Sequence, residues 1–399
     1  MPDAPVFLLR ELSFLSGATG AASEQASSTS HLSRGGCCVE GETLSGPESD
    51  ECGGVASDRT PAGGLPEFLN GQWELGLQAS SGRESAPVRY DPEDRLTYDG
   101  ERFRCLFLPG RAQRPQISGA KPRSNEVLGL RRSHGPCPFD GPEFVRDREV
   151  LRLIGDDARY HVVRNHFPVV PRHYLIVRPS DDPAELLPQC LHSAAEIRDV
   201  FRFLVALGPS YRLYFNSNAG GDGSHSGSSV NHWHWQFFEY PFVSTPFDRV
   251  GAENWPGACL ALSAEIEPEK SPASGTSDTP ADVSSATAES KLATAIWRAL
   301  EIIHERDCAY NVEAYLVSPD VLRVILFPRA PGSAIDVPGV GTFPPEFGGN
   351  QLRGDFVLTD RELFDWSCQN PDEVDRIMEA RLRETTWISD SLSSAISQA

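Results

Sequence analysis

A run of alternating histidines carries the strongest chemical signal in this chain. His232, His234 and Gln236 occupy every second position, with a tryptophan between each pair. In a β-strand successive side chains point to opposite faces, so these three polar side chains would line one face and the tryptophans the other. The pattern predicts a strand that gives one imidazole a polar neighbour on each side.

Three interpretations of this strand follow from its residues. The histidines can be satisfied, half-buried side chains of an ordinary strand whose tryptophans belong to the core. His232 and His234 followed by Glu239 also fit the first half of a cupin iron or manganese site, although no later histidine in a comparable strand completes it. The third interpretation is nucleophilic catalysis at phosphorus, since a neutral imidazole can attack an α-phosphate and hold the nucleotidyl group covalently.

Under the third interpretation each polar residue has a role. His234, the middle residue, would be the nucleophile, and His232 would position and polarise the site. Gln236 donates and accepts hydrogen bonds but does not titrate, so it can orient phosphoryl oxygens without acting as a general base toward water. These roles favour transfer to an acceptor such as phosphate over hydrolysis.

Composition restricts the partners and the compartment. The formal charge of −20 argues against a nucleic acid polymer, because phosphate backbones are held by clustered Lys and Arg. The nine cysteines are scattered and form no compact disulfide framework, so we expect free thiols and a cytoplasmic protein. No apolar run approaches the length of a membrane span, and neither a signal peptide nor a membrane partner is expected.

Patterns typical of strands and helices surround the histidine run. Short segments rich in aromatic and β-branched residues predict strands at 160–164, 173–177, 211–216, 230–238, 312–317, 322–327 and 356–358. Apolar stripes at helical spacing predict helices at 197–207, 292–303 and 371–383. Antiparallel strands with helices on one side predict an α+β fold.

Low-complexity segments divide the chain. Residues 1–90 are predicted to be a largely disordered arm and 267–290 a disordered polar insertion, because Ser- and Gly-rich segments bury too little apolar surface to offset the entropy of ordering. The folded part is then predicted as a first half at 91–266, which contains the histidine strand, and a second half at 291–386. A flexible tail is predicted at 387–399.

The residues around the histidine run resemble a known signature. Gly227 to Gln236 is similar to the Gly-x-Ser-x-x-His-x-His-x-Gln signature of the transferase branch of the histidine triad (HIT) superfamily. That branch includes galactose-1-phosphate uridylyltransferase, diadenosine tetraphosphate phosphorylase and the GDP-hexose phosphorylases. Segments 165–168, 173–177 and 214–217 resemble the strands that precede the signature there.

Within this branch, three segments are most similar to the GDP-hexose phosphorylases, the GDP-L-galactose and GDP-D-glucose enzymes. They are Pro138 to Phe144, Pro109 to Pro115, and Val230 to His232. Residues 310–312 and 326–329 resemble the second half of the fold, which the dinucleoside phosphorylases share. The resemblance implies an α+β, HIT-like antiparallel sheet (a half-barrel) with helices, arranged as two HIT-like halves in one chain.

The activity that the resemblance implies is cleavage of a GDP-hexose with inorganic phosphate, giving hexose 1-phosphate and GDP through a guanylylated His234. A diadenosine tetraphosphate phosphorylase or a UDP-hexose uridylyltransferase would use the same chemistry. A cupin-like metalloenzyme and an inactive nucleotide-binding protein are alternatives of a different class.

The same resemblance identifies further site residues and partners. The substrate-binding residues that it implies are Asn216, Gly227, Ser229, Arg111 and Arg329. No cofactor is expected. No metal is expected either, because Cys137 is followed by Asp140 where the uridylyltransferases often carry the Cys-x-x-Cys of a zinc site. The expected partners are a GDP-sugar and inorganic phosphate, with a homodimer as a further expectation.

Overall fold

The computed structural model describes twelve parts of the chain. They are residues 6–9, 64–80, 95–113, 139, 148–155, 158–178, 187–228, 230–242, 244–266, 287–332, 335–343 and 347–397. Most of the arm predicted at 1–90 and most of the insertion predicted at 267–290 lie outside these residues.

The strands are numbered in chain order. They are β1 (Val6–Leu8), β2 (Leu96–Asp99), β3 (Arg104–Phe107), β4 (Glu149–Ile154), β5 (Arg159–Arg164), β6 (His173–Val177), β7 (Tyr211–Asn216), β8 (His234–Glu239), β9 (Leu260–Glu265), β10 (Tyr310–Ser318), β11 (Val321–Pro328), β12 (Ile335–Val337), β13 (Gly341–Phe343) and β14 (Asp355–Leu358).

The α-helices are numbered in the same way. They are α1 (Gly64–Ser80), α2 (Ala194–Leu207), α3 (Pro246–Val250), α4 (Ala288–Glu305), α5 (Gly349–Leu352), α6 (Arg361–Gln369), α7 (Pro371–Thr385) and α8 (Asp390–Ser397). None of the helices in the described ranges is long and apolar enough to cross a membrane.

A nine-stranded sheet organises the molecule, in the order β1-β4-β5-β6-β8-β7-β10-β11-β9. All neighbours in it are antiparallel except β1 and β4. The segments predicted as two halves share this sheet, because β7 pairs with β10 at its centre and β9 pairs with β11 at its edge. The predicted α+β class with a large antiparallel sheet and helices is confirmed.

Helices cover one face of the sheet, which we call the helix face. Ser193 caps α2 by accepting a hydrogen bond from the backbone N–H of Glu196, and Gly208 ends it with a positive φ of 84°. The apolar stripe of α2 and that of α4 pack on the sheet together with Trp233, Trp235 and Phe237. Burial of these stripes is what fixes the two helices on this face.

A second layer covers part of the opposite face, over β10 and β11. It consists of the three-stranded sheet β14-β3-β2 together with α3, α6 and α7. Ile325 and Phe327 of β11 pack there with Phe356 of β14 and Met378 of α7. The part of this face on β6, β8, β7 and the start of β10 carries polar side chains, and we call it the polar face.

The predicted arm contains two elements that the structure describes, β1 and α1. Leu65, Leu69 and Trp73 lie four residues apart on α1 and are buried in the core of the helix face. Trp73 packs edge-on against Tyr174, with ring centroids 5.8 Å apart. Residues 64–80 therefore belong to the fold, because this stripe supplies the apolar surface that the segment before it lacks.

Candidate active site

The histidine strand begins later than its sequence pattern predicts. β8 starts at His234, which faces Val177, the last residue of β6. Among the described residues, 230–233 belong to no strand, and the N–H of Trp233 donates to the carbonyl oxygen of Leu187, 2.9 Å away. The predicted start at Val230 was therefore wrong, because the N–H of Trp233 is bonded to the loop before α2 and not to a strand.

The predicted alternation of side chains nevertheless holds across this boundary. Trp233 and Trp235 are fully buried on the helix face. His232 and His234 both lie against Phe139, with ring centroids 5.5 and 5.2 Å from it. Phe139 also packs with Leu175 and Val177, so one side of the imidazole pair has an apolar wall that limits access of water.

The tautomer of His234 follows from its hydrogen bond to the main chain. Its Nδ1 lies 2.8 Å from the carbonyl oxygen of His232, and its side chain is 5% exposed. A carbonyl oxygen can only accept, so Nδ1 must carry the proton and the basic lone pair lies on Nε2. In this tautomer Nε2 is the nucleophilic nitrogen of the ring.

His232 acts mainly through its main chain. Its Nε2 lies 2.8 Å from the carbonyl oxygen of Arg178, which fixes the ring, and its side chain is fully buried. Its own carbonyl oxygen accepts from Nδ1 of His234. The residue predicted to position the site therefore holds the neighbouring imidazole in one tautomer and one orientation.

Gln189 holds the ends of the two strands beside the histidine. Its Oε1 accepts from the backbone N–H of His234 at 2.8 Å, while its Nε2 donates to the carbonyl oxygens of His234 and Asn216 at 2.8 and 2.9 Å. The side chain is fully buried. It satisfies main-chain groups where β7 and β8 end their pairing, and this fixes His234 relative to Asn216.

Asn216 ends β7, and the oxygen of its side-chain amide is anchored by two hydrogen bonds. Its Oδ1 accepts from Nδ2 of Asn311 at 2.7 Å and from the backbone N–H of Gly349 at 3.1 Å. The Nδ2 of Asn311 also donates to the carbonyl oxygen of Ser226. This arrangement leaves the NH2 group of Asn216 as the donor that it can offer to a ligand.

Gln236 lies on the polar face two residues after His234 and is half-buried. Its Oε1 is 3.1 Å from Nε2 of His173 on β6. Its cross-strand neighbour on β7 is Tyr214, whose ring stacks on Phe238 with centroids 5.3 Å apart. The amide of Gln236 thus has a fixed polar partner in His173, and the residue follows His234 on the same face of β8.

Two arginines predicted to bind substrate donate hydrogen bonds to the protein in this structure. Arg329 is 1% exposed, and its guanidinium donates to Oδ1 of Asn311, to the carbonyl of Phe347 and to that of Thr385. Arg111 is half-buried and donates to the carbonyl oxygen of Phe167 at 2.6 Å. Through these hydrogen bonds Arg329 fixes the side chain of Asn311, and Arg111 holds the main chain of the connection before β6.

Gly227 lies at the entry to the histidine run with φ 78°. A Cβ atom there would come within 2.7 Å of the backbone nitrogen of Gly348, so both its conformation and its neighbour require glycine. The loop before it is held through buried serines, since Oγ of Ser217 accepts from the N–H of Tyr310 and Oγ of Ser224 from that of Ala309. Ser229, predicted to bind phosphate, lies outside the described residues.

Several positions of the candidate site lack a signal of their own in the sequence. Gln189 lies in a loop with no recognisable pattern, and its role depends on contacts with two strands distant along the chain. His173 and Asn311 lie within segments that resemble known strands, yet only the paired sheet shows which side chains they meet. Cross-strand register would have been needed to find them.

The ligand set of the cupin interpretation does not come together. Glu239 is five residues after His234, so it lies on the other face of β8, where it pairs with Arg172. Within the described parts of the chain, no group of three or more His, Cys, Asp and Glu side chains could hold a metal ion. Cys137 and Asp140 are outside those parts.

Comparison with known proteins identifies a shared fold. No family model matches the chain, and no curated protein matches its sequence. The structure of yeast Ap4A phosphorylase Apa2 aligns over 81% of this chain and 97% of its own, with a TM-score of 0.50 and 15% identity. Its complex with AMP aligns over 81% and 98% at 18% identity, and its complex with Ap4A over 80% and 96% at 16%, both with TM-scores of 0.50. The chain is similar to Apa2 in fold over most of the length of both proteins.

Proposed function

We propose that this chain is a nucleotidyltransferase of the phosphorylase type, which transfers a nucleoside monophosphate group to inorganic phosphate through a covalent intermediate on His234. The observation that carries the proposal is the hydrogen bond from Nδ1 of His234 to the carbonyl oxygen of His232. In the neutral ring this bond places the lone pair on Nε2, which is the requirement for a nucleophile that attacks phosphorus.

The reaction proceeds in two displacements at the same phosphorus. In the first, Nε2 of His234 forms a bond to the α-phosphorus and the bond from phosphorus to the bridging oxygen breaks, so the rest of the substrate leaves as a phosphate ester. In the second, an oxygen of inorganic phosphate attacks the phosphorus and the electron pair of the N–P bond returns to Nε2. The products are the leaving phosphate ester and a nucleoside diphosphate.

The remaining residues orient the oxygens that carry negative charge. Asn216 ends β7 and Gln236 follows His234 by two residues on β8, and the oxygen of each amide has a fixed partner. Hydrogen bonds from their NH2 groups to developing charge would stabilise a transition state, because donors fixed in advance need no reorganisation. Gln189 and His232 hold the nucleophile itself. Gly227 lets the main chain approach closely before the histidine run.

Two substrates fit this chemistry, and different observations support them. The fold shared with Ap4A phosphorylase supports a dinucleoside polyphosphate such as Ap4A, which would give ATP and ADP. The segments Pro109 to Pro115 and Pro138 to Phe144 support a GDP-hexose, which would give hexose 1-phosphate and GDP. Because similarity of fold extends over most of the chain, Ap4A is the first substrate to test.

Covalent labelling tests the mechanism. Incubation with Ap4A or a GDP-hexose carrying ³²P at the α-phosphorus should leave a label on the protein that is stable to base and labile to acid, as expected of a phosphorus–nitrogen bond. His234→Gln should abolish the label, with activity lower by on the order of 1,000-fold or more. His304→Gln changes a histidine of α4 on the helix face and should label like the wild type.

A substrate panel then separates the two substrates. Phosphate-dependent consumption of Ap4A, GDP-glucose, GDP-galactose, UDP-glucose and ADP-glucose is compared under identical conditions. Preference for Ap4A or for a GDP-sugar decides between the two forms of the proposal. A label that persists in His234→Gln, or no phosphate-dependent turnover of any of them, rejects the proposed mechanism.

A further inference from the structure

The two ends of the Gln236 side chain would have opposite effects at a phosphoryl site. The NH2 group donates hydrogen bonds and attracts phosphate oxygens, whereas the carbonyl oxygen repels them and accepts hydrogen bonds from water. Both ends have nearly the same size, so packing alone does not decide which one faces His234. A hydrogen-bond partner has to decide it.

His173 is that partner, and its own tautomer is fixed by the main chain. The backbone N–H of Val169 donates to Nδ1 of His173 at 3.1 Å, and the side chain is 1% exposed. Nδ1 must therefore hold a lone pair, and the proton of the neutral ring is on Nε2. The Nε2–H can donate only to an acceptor.

The surroundings of Nε2 contain one acceptor among the contacts that the structure describes. Oε1 of Gln236 lies 3.1 Å away, and Nδ2 of Asn165 lies at the same distance. The amide of Asn165 is oriented by its Oδ1, which accepts from the N–H of Phe167, so its nitrogen faces the ring. Since that nitrogen is a donor, the proton of His173 goes to Gln236.

Hydrogen bonds from two arginines hold the main chain of the connection between β5 and β6, and with it the position of Val169. Arg95 donates to the carbonyl oxygens of Val169 and Pro168 at 2.5 and 3.1 Å, and Arg111 donates to that of Phe167 at 2.6 Å. Fixing these peptide groups fixes the direction of the N–H of Val169. The two arginines therefore help to fix the orientation of Gln236 through Val169 and His173.

We propose that His173 is a positioning residue that sets the choice of acceptor, by holding Oε1 of Gln236 away from the phosphoryl group so that the NH2 group faces it. The inference rests on the proposed function. With the NH2 group facing the nucleotidyl-His234, a phosphate acceptor is bound and oriented. If the amide turned over, its oxygen would repel phosphate and orient a water molecule for attack.

Both outcomes break the same bond and differ in product. When phosphate attacks, a P–O bond forms, the N–P electron pair returns to Nε2 of His234, and a nucleoside diphosphate is released. When water attacks, its oxygen forms the new bond, its proton passes to solvent, and a nucleoside monophosphate is released. The ratio of diphosphate to monophosphate therefore reports the orientation of Gln236 directly.

Two substitutions of His173 separate its two hydrogen bonds. In His173→Asn the amide oxygen can take the place of Nδ1 and accept from Val169, but no donor reaches Gln236. In His173→Gln the amide nitrogen can take the place of Nε2 and donate to Gln236, while the acceptor for Val169 is lost. His304→Gln on the helix face is the control for changing a histidine.

The experiment uses protein labelled from Ap4A or the GDP-hexose, chased with inorganic phosphate, and measures both nucleotide products. We expect the diphosphate to monophosphate ratio to fall about tenfold in His173→Asn, the effect of one lost hydrogen bond, with a higher KM for phosphate. His173→Gln should keep a ratio and a rate of labelling close to those of the wild type, whereas His173→Asn should also label more slowly, because the first displacement uses the same NH2 group.

The outcomes distinguish this inference from the proposed function. A ratio in His173→Asn equal to that of the wild type overturns the inference, as does an equal fall in both variants, since that would identify the contact with Val169 as the cause. A wild-type protein that takes no label overturns the proposed function and the inference with it. A wild-type protein that labels and releases only monophosphate overturns transfer to phosphate.

Discussion

The same face of the nine-stranded sheet carries two polar regions that are built differently. Around His234 most of the side chains that make the described contacts are imidazoles and amides, with Arg329 donating to one of them, Asn311. The imidazoles and amides are His173, Gln189, Asn216, His232, Gln236 and Asn311. Farther along β7 and β10, under the second layer, the side chains are charged, and we call them the ion network: Arg104, Arg212, Arg353, Asp248, Glu313 and Asp355.

The ion network joins layers that are distant in sequence. Arg353, fully buried, pairs with Glu313 of β10 and with Asp248 of α3. Arg104 of β3 pairs with Asp355 of β14 at 2.9 Å. Each charge loses water on burial and is compensated only by its partners, so the network tolerates few arrangements of the two layers.

The difference shows which task each kind of polar group performs. Amides and imidazoles donate and accept hydrogen bonds in fixed directions without a net charge. They can therefore orient a nucleophile and add little electrostatic potential of their own at the phosphorus atom. Ion pairs carry a large desolvation penalty and are correspondingly sensitive to loss of one partner. Loss of a charge from the network should therefore change stability, whereas loss of an amide or imidazole contact should change the reaction.

The largest expected effect comes from removing the central charge of the network. Arg353→Met leaves Glu313, which is 1% exposed, without its closest cation, and should lower the free energy of unfolding by about 3–5 kcal/mol. Urea denaturation measures the change. Labelling of His234 in the protein that remains folded should proceed at the wild-type rate, because Arg353 contacts no residue of the histidine region in the described hydrogen bonds.

An exposed ion pair serves as the control for this change. Arg361 pairs with Asp365 on the surface of α6, where both side chains are well exposed. Arg361→Met should leave the denaturation midpoint where it is in the wild type. If Arg353→Met were equally harmless, or if it abolished labelling in folded protein, the separation between the two regions would fail.

The pH dependence of stability tests the direction of the pKa shift of two carboxyl groups in the network. Burial would raise the pKa of Asp248, but Arg353 and Arg212 outweigh it and hold that pKa well below its usual range. A depressed pKa contributes stability above the unfolded value and loses it as the pH falls. Asp248→Asn should therefore be less stable than the wild type by about 2–3 kcal/mol at pH 7, with a gap that narrows as the pH drops below about 4.

Asp355 provides the opposite case. Burial raises the pKa of Asp355 above its usual value, and Arg104 opposes this only in part. A raised carboxyl pKa costs stability at neutral pH, and this cost is relieved as the pH falls through the folded value. Relative to Asp355→Asn, the wild type should thus gain stability on acidification. Parallel curves for the two variants in urea denaturation between pH 7 and pH 3 would refute this contrast.

Much of the core of the fold could be predicted from local patterns. The strands at 173–177 and 211–216 and the helix that Gly208 ends have the predicted bounds or nearly so, because each is a short apolar pattern with a clear stop. The alternation around His234 also predicted which side chains share a face. These features depend on neighbours within a few residues.

What could not be predicted depends on distant partners. Arg329 and Arg111 were expected to bind substrate from the resemblance of their segments, and only the folded chain shows the carbonyl oxygens to which they also donate. Gln189 has no local signal, and Arg104 and Asp355 are 251 residues apart. The pairing of β9 with β11 is likewise set by the sheet as a whole. Register and layer packing decide such contacts, and a single sequence does not encode them locally.

The smallest expected effect comes from substituting glycines in the main chain before the histidine region. Two of them separate the cost of backbone conformation from that of a steric collision. Gly227 and Gly223 both have positive φ, 78° and 86°, but a Cβ at Gly223 meets no atom within 4 Å, whereas at Gly227 it would collide with Gly348. Gly223→Ala should cost about 1 kcal/mol of stability from backbone conformation alone. Gly227→Ala should lower the free energy of unfolding by about 2 kcal/mol. It should also slow labelling of His234, because the main chain at Gly227 and Ser228 must shift to relieve the collision. Equal effects of the two substitutions on both stability and labelling would mean that contact with Gly348 does not help to position the nucleophile.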